Sequence, residues 1–302
     1  MEDMITGLCP QCGHTLHIPA ELASFSCMYC GARLTKKQLA AEPLAAPEVD
    51  EDRAAYYDRA VSRLGWCIKN FGGYQKKIMR DVFFEAFETY EAGCAPVIQE
   101  LARGVAPEQQ TQLLERAAAA MLDELEAGWQ KKGDMEDEKI VLAIFFVPMV
   151  RKQQLPISEE FVTILQKQWV ERYPKSPFYL GDYESISGGF RKKFLGLCFI
   201  TTAVCQELGK PDDCEELTAF RAFRDGYLRS QPDGEALIRE YYNIAPGIVT
   251  CINTCSDRHA SYARIREEYL APCYQDLLAG RNESCKARYV RMVRDLEREY
   301  LS

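Results

Sequence analysis

Residues 9–13 read Cys-Pro-Gln-Cys-Gly and residues 27–31 read Cys-Met-Tyr-Cys-Gly, and this repeated motif decides the fold at the start of the chain. Two residues between a pair of thiolates let backbone amides point at sulfur, and the following glycine permits the positive φ that such a tight turn needs. Only residues 14–26 separate the motifs, a spacing typical of a single metal site. We therefore predict one zinc ion, bound by Cys9, Cys12, Cys27 and Cys30.

The predicted zinc ion has a structural role. So short a unit buries too little apolar surface to fold alone, whereas structural zinc contributes roughly 10–16 kcal/mol of apparent binding energy. Four thiolates also close the coordination shell, so no position is open for a substrate. We expect short strands at residues 15–18 and 25–26, and we expect His14 and His17 to face solvent. The alternatives are a rubredoxin-like iron site, redox-active cysteine pairs and four unligated cysteines.

The cysteine motifs resemble the transcription-factor-type zinc ribbons found at the head of many bacterial proteins. The resemblance is carried by Cys-Pro-x-Cys-Gly at residues 9–13 and by Cys-x-Tyr-Cys-Gly at residues 27–31. Ribbons of this type bind nucleic acid or protein. Residues 14–26 contain no Lys or Arg, so phosphate groups would find no cation there. This omission favours a protein-facing or scaffolding role.

Composition places the whole chain among globular proteins with a net negative charge. The 302 residues are 47% hydrophobic and carry a formal net charge of −8, which argues against a nucleic-acid partner. The longest apolar run, residues 140–150, is too short to span a bilayer, and the N-terminus lacks a secretory signal. All but four of the 13 cysteines lie outside the zinc motifs, without the spacing of a disulfide framework. We therefore predict a cytoplasmic protein in a reducing compartment, with no membrane insertion.

The chain is predicted to be mainly α, with a small N-terminal β zinc ribbon joined by a linker to a multi-helix body. Residues 1–36 form the ribbon, and residues 37–52 form a linker whose two prolines favour extended backbone. Apolar residues then recur at helical spacing through residues 53–190, which we assign to one helical domain. A stretch rich in Pro and Gly ends that domain, and residues 191–302 form a second helical domain.

Two predictions within the first helical domain concern individual helices. Apolar residues recur on one face through residues 57–71, which predicts a single long helix there. Ser158 precedes two glutamates, a pattern that predicts an N-cap followed by an acidic first turn. The buried face of the helix after Ser158 is predicted to contain Phe161, Leu165 and Trp169.

Residues 198–204, Cys-Phe-Ile-Thr-Thr-Ala-Val, resemble the start of the bacterial CFI-box C-terminal domain. The resemblance continues through Leu217, Phe220, Arg221, Phe223, Arg224, Asp225, Leu228, Tyr241, Tyr242, Pro246, Arg264, Ile265, Arg266, Leu270 and Pro272. The family usually continues with alanine, tyrosine and glycine, which are replaced here by Val, Cys and Gln at residues 204–206. The resemblance implies a compact helical module and no particular activity.

Two arginines and one cysteine of this second domain are candidates for chemistry. We expect Arg221 and Arg224 to pair with buried carboxylates and so lock helices together, the alternative being a carboxylate or phosphate ligand. The candidate carboxylates are Asp225, Glu240 and Glu267. Cys198 lies near a helix start, where a lowered pKa would make it a nucleophile; the alternative is a small buried side chain. Its base would be His259, oriented by Asp257 or Glu240.

Three residues of the second domain have the spacing of metal ligands. Cys251, Cys255 and His259 recur at every fourth position, which would align them on one continuous helix. A fourth ligand would come from Cys205, Cys214 or Cys273. The same spacing is typical of a buried helical face, and Asp257 is a typical cap that would begin a new helix before His259. We therefore favour buried cysteines over a second metal site.

The sequence predicts a protein-binding or scaffolding module with one structural zinc ion and another protein as its partner. It contains no phosphate-binding glycine loop, no Gly-x-Ser-x-Gly elbow and no His-Glu-x-x-His motif. A hydrolase or transferase that depends on Cys198 and His259 is the first alternative. A nucleic-acid-binding regulator that uses the ribbon is the second, with weak basic clusters at residues 36–37, 76–77 and 191–193.

Overall fold

The computed structural model describes residues 4–11, 15–39, 51–191 and 198–302. Within these residues the protein is mainly helical, and its first residues form small antiparallel sheets, as predicted. The chain divides into two compact units, Met1–Asp52 and Arg53–Ser302. We call them the N-terminal unit and the body.

The N-terminal unit is built from two short β-hairpins. Its strands are β1 (Met4–Leu8), β2 (Thr15–Pro19), β3 (Ser24–Ser26) and β4 (Arg33–Thr35). β1 pairs antiparallel with β2, and β3 pairs antiparallel with β4. The strands predicted at residues 15–18 and 25–26 are therefore confirmed. Both hairpins supply buried side chains to one small core, which contains Cys9, Leu16, Ile18, Cys27 and Leu34.

Helices make up most of the described part of the body. Between residues 51 and 191 they are α1 (Glu51–Leu64), α2 (Trp66–Lys69), α3 (Phe83–Gly104), α4 (Gln110–Gly128), α5 (Lys132–Val141), α6 (Val147–Lys152), α7 (Ser158–Arg172) and α8 (Tyr183–Arg191). From residue 198 onward they are α9 (Phe199–Glu207), α10 (Glu215–Ala222), α11 (Gly234–Cys255), α12 (Arg258–Ile265), α13 (Ala271–Leu278) and α14 (Asn282–Tyr300).

Three wider π-helical segments continue these helices. Leu142–Phe146 joins α5 to α6, Arg266–Leu270 joins α12 to α13, and Phe223–Leu228 follows α10. In the first two cases a proline, Pro148 or Pro272, stands two residues after the segment. Proline removes one backbone donor and its ring displaces the carbonyl of the preceding turn, so a locally widened helix accommodates it.

The segment Leu142–Phe146 lies at the centre of the body and is fully buried. The ring of Phe145 lies among four other aromatic rings, those of Tyr74, Phe83, Phe87 and Tyr90. A helix that is apolar on all sides must be enclosed by other helices, and this one is part of the long apolar run at residues 140–150. No helix in the described residues has the length and hydropathy needed to cross a bilayer.

The single helix predicted over residues 57–71 is wrong, because the chain turns at Gly65 and forms α1 and α2. A Cβ at Gly65 would overlap the Glu124 carboxylate, which belongs to α4. Lys69, on α2, pairs with the same carboxylate at 3.5 Å. The helical periodicity of apolar residues continues across the break, so it does not reveal the break.

Ser158 is the first residue of α7, and the N-cap is Ile157, so the predicted N-cap is wrong by one residue. The Ser158 hydroxyl accepts a hydrogen bond from the Leu155 amide and donates one to the Val150 carbonyl. These bonds fasten the turn before α7 to the preceding helix. The predicted buried face is confirmed at Phe161, Leu165 and Trp169.

Helices on the two sides of residue 190 pack against each other. The rings of Phe83, on α3, and Phe190, on α8, are stacked with centroids 4.3 Å apart, and α8 also contacts α11. Backbone hydrogen bonds join the two parts as well, from Arg80 to the Asn243 carbonyl. The domain boundary near residue 190 stays a prediction, and the body as described is one compact unit.

Candidate functional site

Three cysteines of the N-terminal unit lie together, near enough to hold a metal ion. Cys9 follows β1, whereas Cys27 and Cys30 lie in the turn between β3 and β4. Their sulfur atoms are all within 4.8 Å of one another, and the sulfurs of Cys9 and Cys30 are 3.8 Å apart. Cys12, the fourth predicted ligand, lies outside the described residues, as does His14.

The 3.8 Å separation of the Cys9 and Cys30 sulfur atoms fits a tetrahedral zinc ion. Zinc binds thiolate sulfur at about 2.3 Å, which places two ligands of a tetrahedron about 3.8 Å apart. Cys9 and Cys27 are buried and Cys30 is exposed, so the group lies at the edge of the small core. Cysteine sulfur is a donor that structural zinc prefers, and a fourth ligand would complete the set.

The second cysteine turn has the backbone conformation that its sequence predicts. Gly31 has a φ of +74°, in the left-handed region that favours glycine. Its amide donates to the Cys27 carbonyl at 2.8 Å, and the Cys27 amide donates to the Ala32 carbonyl at 2.8 Å. The turn therefore brings the sulfur atoms of Cys27 and Cys30 close together. The corresponding glycine of the first motif, Gly13, lies outside the described residues.

The side chains between the two cysteines of this turn point outward. Met28 is 81% exposed and Tyr29 is 57% exposed, and both are large apolar side chains on a unit with a very small core. Leu22 and Ile5 of the same unit are also exposed. His17 is exposed, as predicted. The exposed surface formed by Met28 and Tyr29 was not predicted from the sequence, although the position of these residues inside a short ligand turn already indicates exposure.

Cys198 in the body is the N-cap of α9 and is only 4% exposed. A guanidinium N–H of Arg224 (Nη1) points at its sulfur at 3.5 Å. Burial raises the pKa of the Cys198 thiol, and the positive charge of Arg224 offsets this only in part. The prediction that the Cys198 thiol has a lowered pKa, as a nucleophile would need, is therefore wrong.

Arg224 also donates hydrogen bonds to other polar groups near Cys198. Its guanidinium makes a two-point hydrogen bond with Asp225, at 2.8 and 2.6 Å, and donates to the Tyr242 hydroxyl at 3.0 Å. Arg224 does pair with Asp225, one of the predicted partners. Asp225 is half exposed and is the next residue in the same helical segment, so the predicted locking of helices through a buried carboxylate is wrong for this pair. Arg221 pairs instead with Asp212, and another candidate carboxylate, Glu240, pairs with Arg294.

A cavity of about 60 Å³ lies beside Cys198 and Arg224. Its walls are mostly apolar and include Phe220, Ile238 and Val293. Pockets for small-molecule substrates are usually about 300–1,000 Å³, so this cavity is too small for one. The surroundings of Cys198 are those of a packed core.

His259 lies far from Cys198. It is in the first turn of α12, its side chain is 79% exposed, and its Nδ1 atom is 3.4 Å from the Glu207 carboxylate. Glu207 ends α9, whereas Cys198 precedes the start of the same helix. A helix rises about 1.5 Å per residue, so Cys198 and Glu207 are separated by roughly 13 Å along its axis. The proposed pairing of Cys198 with His259 has no support in this geometry.

The residues considered for a second metal site are also separated. α11 ends at Cys255, and Asp257 caps α12 by accepting a hydrogen bond from the Ala260 amide, so the predicted break before His259 is confirmed. Cys251 is buried and its sulfur is 3.6 Å from the Tyr300 carbonyl. In the part of the chain that the structure describes, the group at Cys9 is the one cluster with metal-ligand geometry.

A scan against protein-family models, a search of curated proteins and a search of solved structures each found no match to this chain. The likeness to zinc ribbons and to the CFI-box domain therefore stays a prediction. Only the residues of this chain and their geometry therefore indicate its function.

We expect native Cys198 to react slowly with iodoacetamide, because the thiolate is the reactive form and a raised pKa keeps the thiol protonated at neutral pH. Cys198 is also almost completely enclosed, which limits access of the reagent, so labelling should be slower at Cys198 than at Cys214. Cys214 is half-buried and serves as the internal control. Mass spectrometry of the labelled fragments gives both rates. Faster labelling at Cys198 than at Cys214, in the folded protein, would revive the cysteine-enzyme alternative.

Proposed function

We propose that this chain is a zinc-ribbon protein whose N-terminal unit binds another protein and whose helical body serves as the scaffold. The observation that carries the proposal is the group of three sulfur atoms within 4.8 Å of one another, two of them in a turn that presents Met28 and Tyr29 to solvent. The bound partner would contact this turn. No chemistry is assigned to the body.

The metal in this proposal is a structural zinc ion, with Cys12 as the fourth ligand beside Cys9, Cys27 and Cys30. The ion supplies folding free energy to a unit whose buried core is too small to be stable alone. A closed set of four thiolates leaves no coordination position for a substrate. The zinc ion would therefore hold Met28 and Tyr29 in place without taking part in a reaction.

A protein partner fits the exposed turn better than a nucleic acid does. Tyrosine and methionine are enriched at the centres of protein interfaces, where large side chains give contact area. Phosphate recognition needs Lys or Arg, and residues 9–30 contain neither. The net charge of −8 also disfavours a nucleic-acid partner.

A buried cluster in the body supports the resemblance of residues 198–302 to the CFI-box domain. Cys198, Arg224 and Tyr242 come from three separate stretches of the resemblance, and in the structure they contact one another. The Tyr241 hydroxyl also accepts a hydrogen bond from the Ile200 amide at 3.0 Å. Because residues of the resemblance meet in one buried cluster, we infer that residues 198–302 form a single packed module and that these residues stabilise it.

The test places a photo-cross-linking amino acid at position 29 of the full chain and irradiates cells that express it. We expect a discrete protein adduct that is lost when Met28→Ser is added to the same chain. The matched control carries the cross-linker at Tyr179, an exposed tyrosine of the body.

Two results would contradict the proposal. One is an equal set of adducts from positions 29 and 179, which would mean that the turn has no partner of its own. The other is an adduct at position 29 that nuclease treatment removes and high salt prevents, which would assign the turn to nucleic acid.

A further inference from the structure

Two cysteines of the body, Cys205 and Cys214, face each other across a short turn. Cys205 lies in the last turns of α9, and Cys214 is the N-cap of α10. Their sulfur atoms are 3.9 Å apart. A disulfide bond needs about 2.05 Å, so a shift of about 2 Å between the two side chains would join them.

The turn between these cysteines is held by its own backbone. Gly209 has a φ of +67°, which lets α9 end there. The Lys210 amide donates to the Cys205 carbonyl at 2.9 Å, and the Cys214 amide donates to the Pro211 carbonyl at 3.1 Å. Each cysteine is therefore tied to the turn that connects them, and their proximity follows from the local fold.

Other cysteines of the body also lie in pairs, but solvent does not reach them. Cys67 is hydrogen-bonded to Cys94, and Cys273 to Cys285, and all four side chains are fully buried. Cys214 is only half-buried, whereas its neighbour Cys205 is almost completely enclosed. Among these three pairs, the Cys205–Cys214 pair therefore combines a partly accessible residue, Cys214, with an enclosed one, Cys205.

We propose that Cys205 and Cys214 form a reversible redox-active dithiol whose oxidant is a small-molecule disulfide. This inference is independent of the zinc ribbon and of its partner. In a reducing compartment such a pair rests as two thiols and is oxidised transiently. Its oxidation fastens the end of α9 to the start of α10.

The oxidation has two exchange steps. The Cys214 thiolate attacks one sulfur of the disulfide RSSR; the old S–S bond breaks, one RS⁻ leaves with the electron pair, and Cys214 carries a mixed disulfide. Cys205 then loses its proton to water and attacks the Cys214 sulfur, which releases the second RS⁻. Two cysteine thiols are thus oxidised, and one RSSR is reduced to two RSH.

The surroundings assign different roles to the two thiols. Burial raises the pKa of Cys205 to about 12, and the nearby Cys214 adds to this, whereas the Lys210 ammonium acts in the opposite direction. Cys205 is therefore protonated at rest and inaccessible, so it does not meet the oxidant first. Its attack in the second step depends on its position 3.9 Å from the Cys214 sulfur, which offsets its low thiolate fraction. Cys214, which is accessible, is the thiol that meets the oxidant.

The test incubates the full chain with oxidised glutathione, blocks the remaining thiols with iodoacetamide and maps the fragments after Glu-C digestion. Cleavage after Glu207 separates Cys205 from Cys214, so a linked pair of fragments reports the bond directly. We expect this link in the wild type, and we expect dithiothreitol to reverse it. Cys198→Ser should keep the link, which excludes the other cysteine on the same fragment.

Single substitutions separate the two steps. Cys205→Ser should accumulate one glutathione on Cys214, and Cys214→Ser should carry neither the link nor glutathione at Cys205. The proposal is overturned when folded wild type shows no link at excess oxidant, or when Cys205→Ser carries no glutathione. It is also overturned when a Cys67–Cys94 link forms at the same rate, since that reports unfolding.

Discussion

Replacing Cys9 by serine should remove the zinc ion from the chain and unfold the N-terminal unit while the body stays folded. Loss of one of four thiolates weakens a site whose binding free energy, roughly 10–16 kcal/mol, is also the folding free energy of the unit. Elemental analysis should find one zinc per chain in the wild type and none in Cys9→Ser. Amide hydrogen exchange should show loss of protection in the strands β1 to β4, and none in the body.

Cys214→Ser is the matched control for this experiment, because it removes a partly accessible cysteine that belongs to the body. It should keep one zinc per chain. A full zinc equivalent in Cys9→Ser would mean that the metal is held elsewhere, and would contradict the ribbon. Iron in place of zinc would identify the rubredoxin-like alternative.

Replacing Phe145 by alanine should lower the free energy of unfolding of the body by about 3–5 kcal/mol, the range for a large aromatic side chain removed from a packed core. Phe145 is fully buried, and its ring lies 5.1 Å from that of Tyr74 and 5.6 Å from that of Tyr90. Urea denaturation followed by tryptophan fluorescence measures the change. All three tryptophans, Trp66, Trp129 and Trp169, lie in the body, so the signal reports that unit.

Tyr179→Ala is the matched control for Phe145→Ala, since it removes an aromatic side chain that is 45% exposed. We expect its cost to be within about 0.5 kcal/mol, as for most surface substitutions. Equal losses for the two variants would mean that the core is not organised around Phe145.

The parts of the protein predicted correctly from the sequence are those fixed by neighbours in the chain. The turn at Cys27, Cys30 and Gly31 is a local structure, so five residues determine its backbone, and the strands beside it follow. The break before His259 is also local, because the side chain of Asp257 caps the helix that begins there.

Features that depend on contacts between distant residues were not predicted. The close approach of the Glu124 carboxylate to Gly65 and the hydrogen bond from Ser158 to the Val150 carbonyl are not visible as local patterns. The raised pKa of Cys198 depends on burial by helices far along the chain, whereas the sequence alone places that thiol at a helix start. The proximity of Cys205 and Cys214 is local, and it was missed because Gly209, in the turn between them, was not recognised as a helix end.

Zinc X-ray absorption of the purified full chain tests whether the N-terminal unit is a zinc ribbon closed by four thiolates. We expect four sulfur neighbours at about 2.3 Å from zinc, which requires Cys12 to join the three cysteines that the structure brings together. A zinc ion with oxygen or nitrogen neighbours in place of one or more sulfurs, or a protein without zinc, would contradict it.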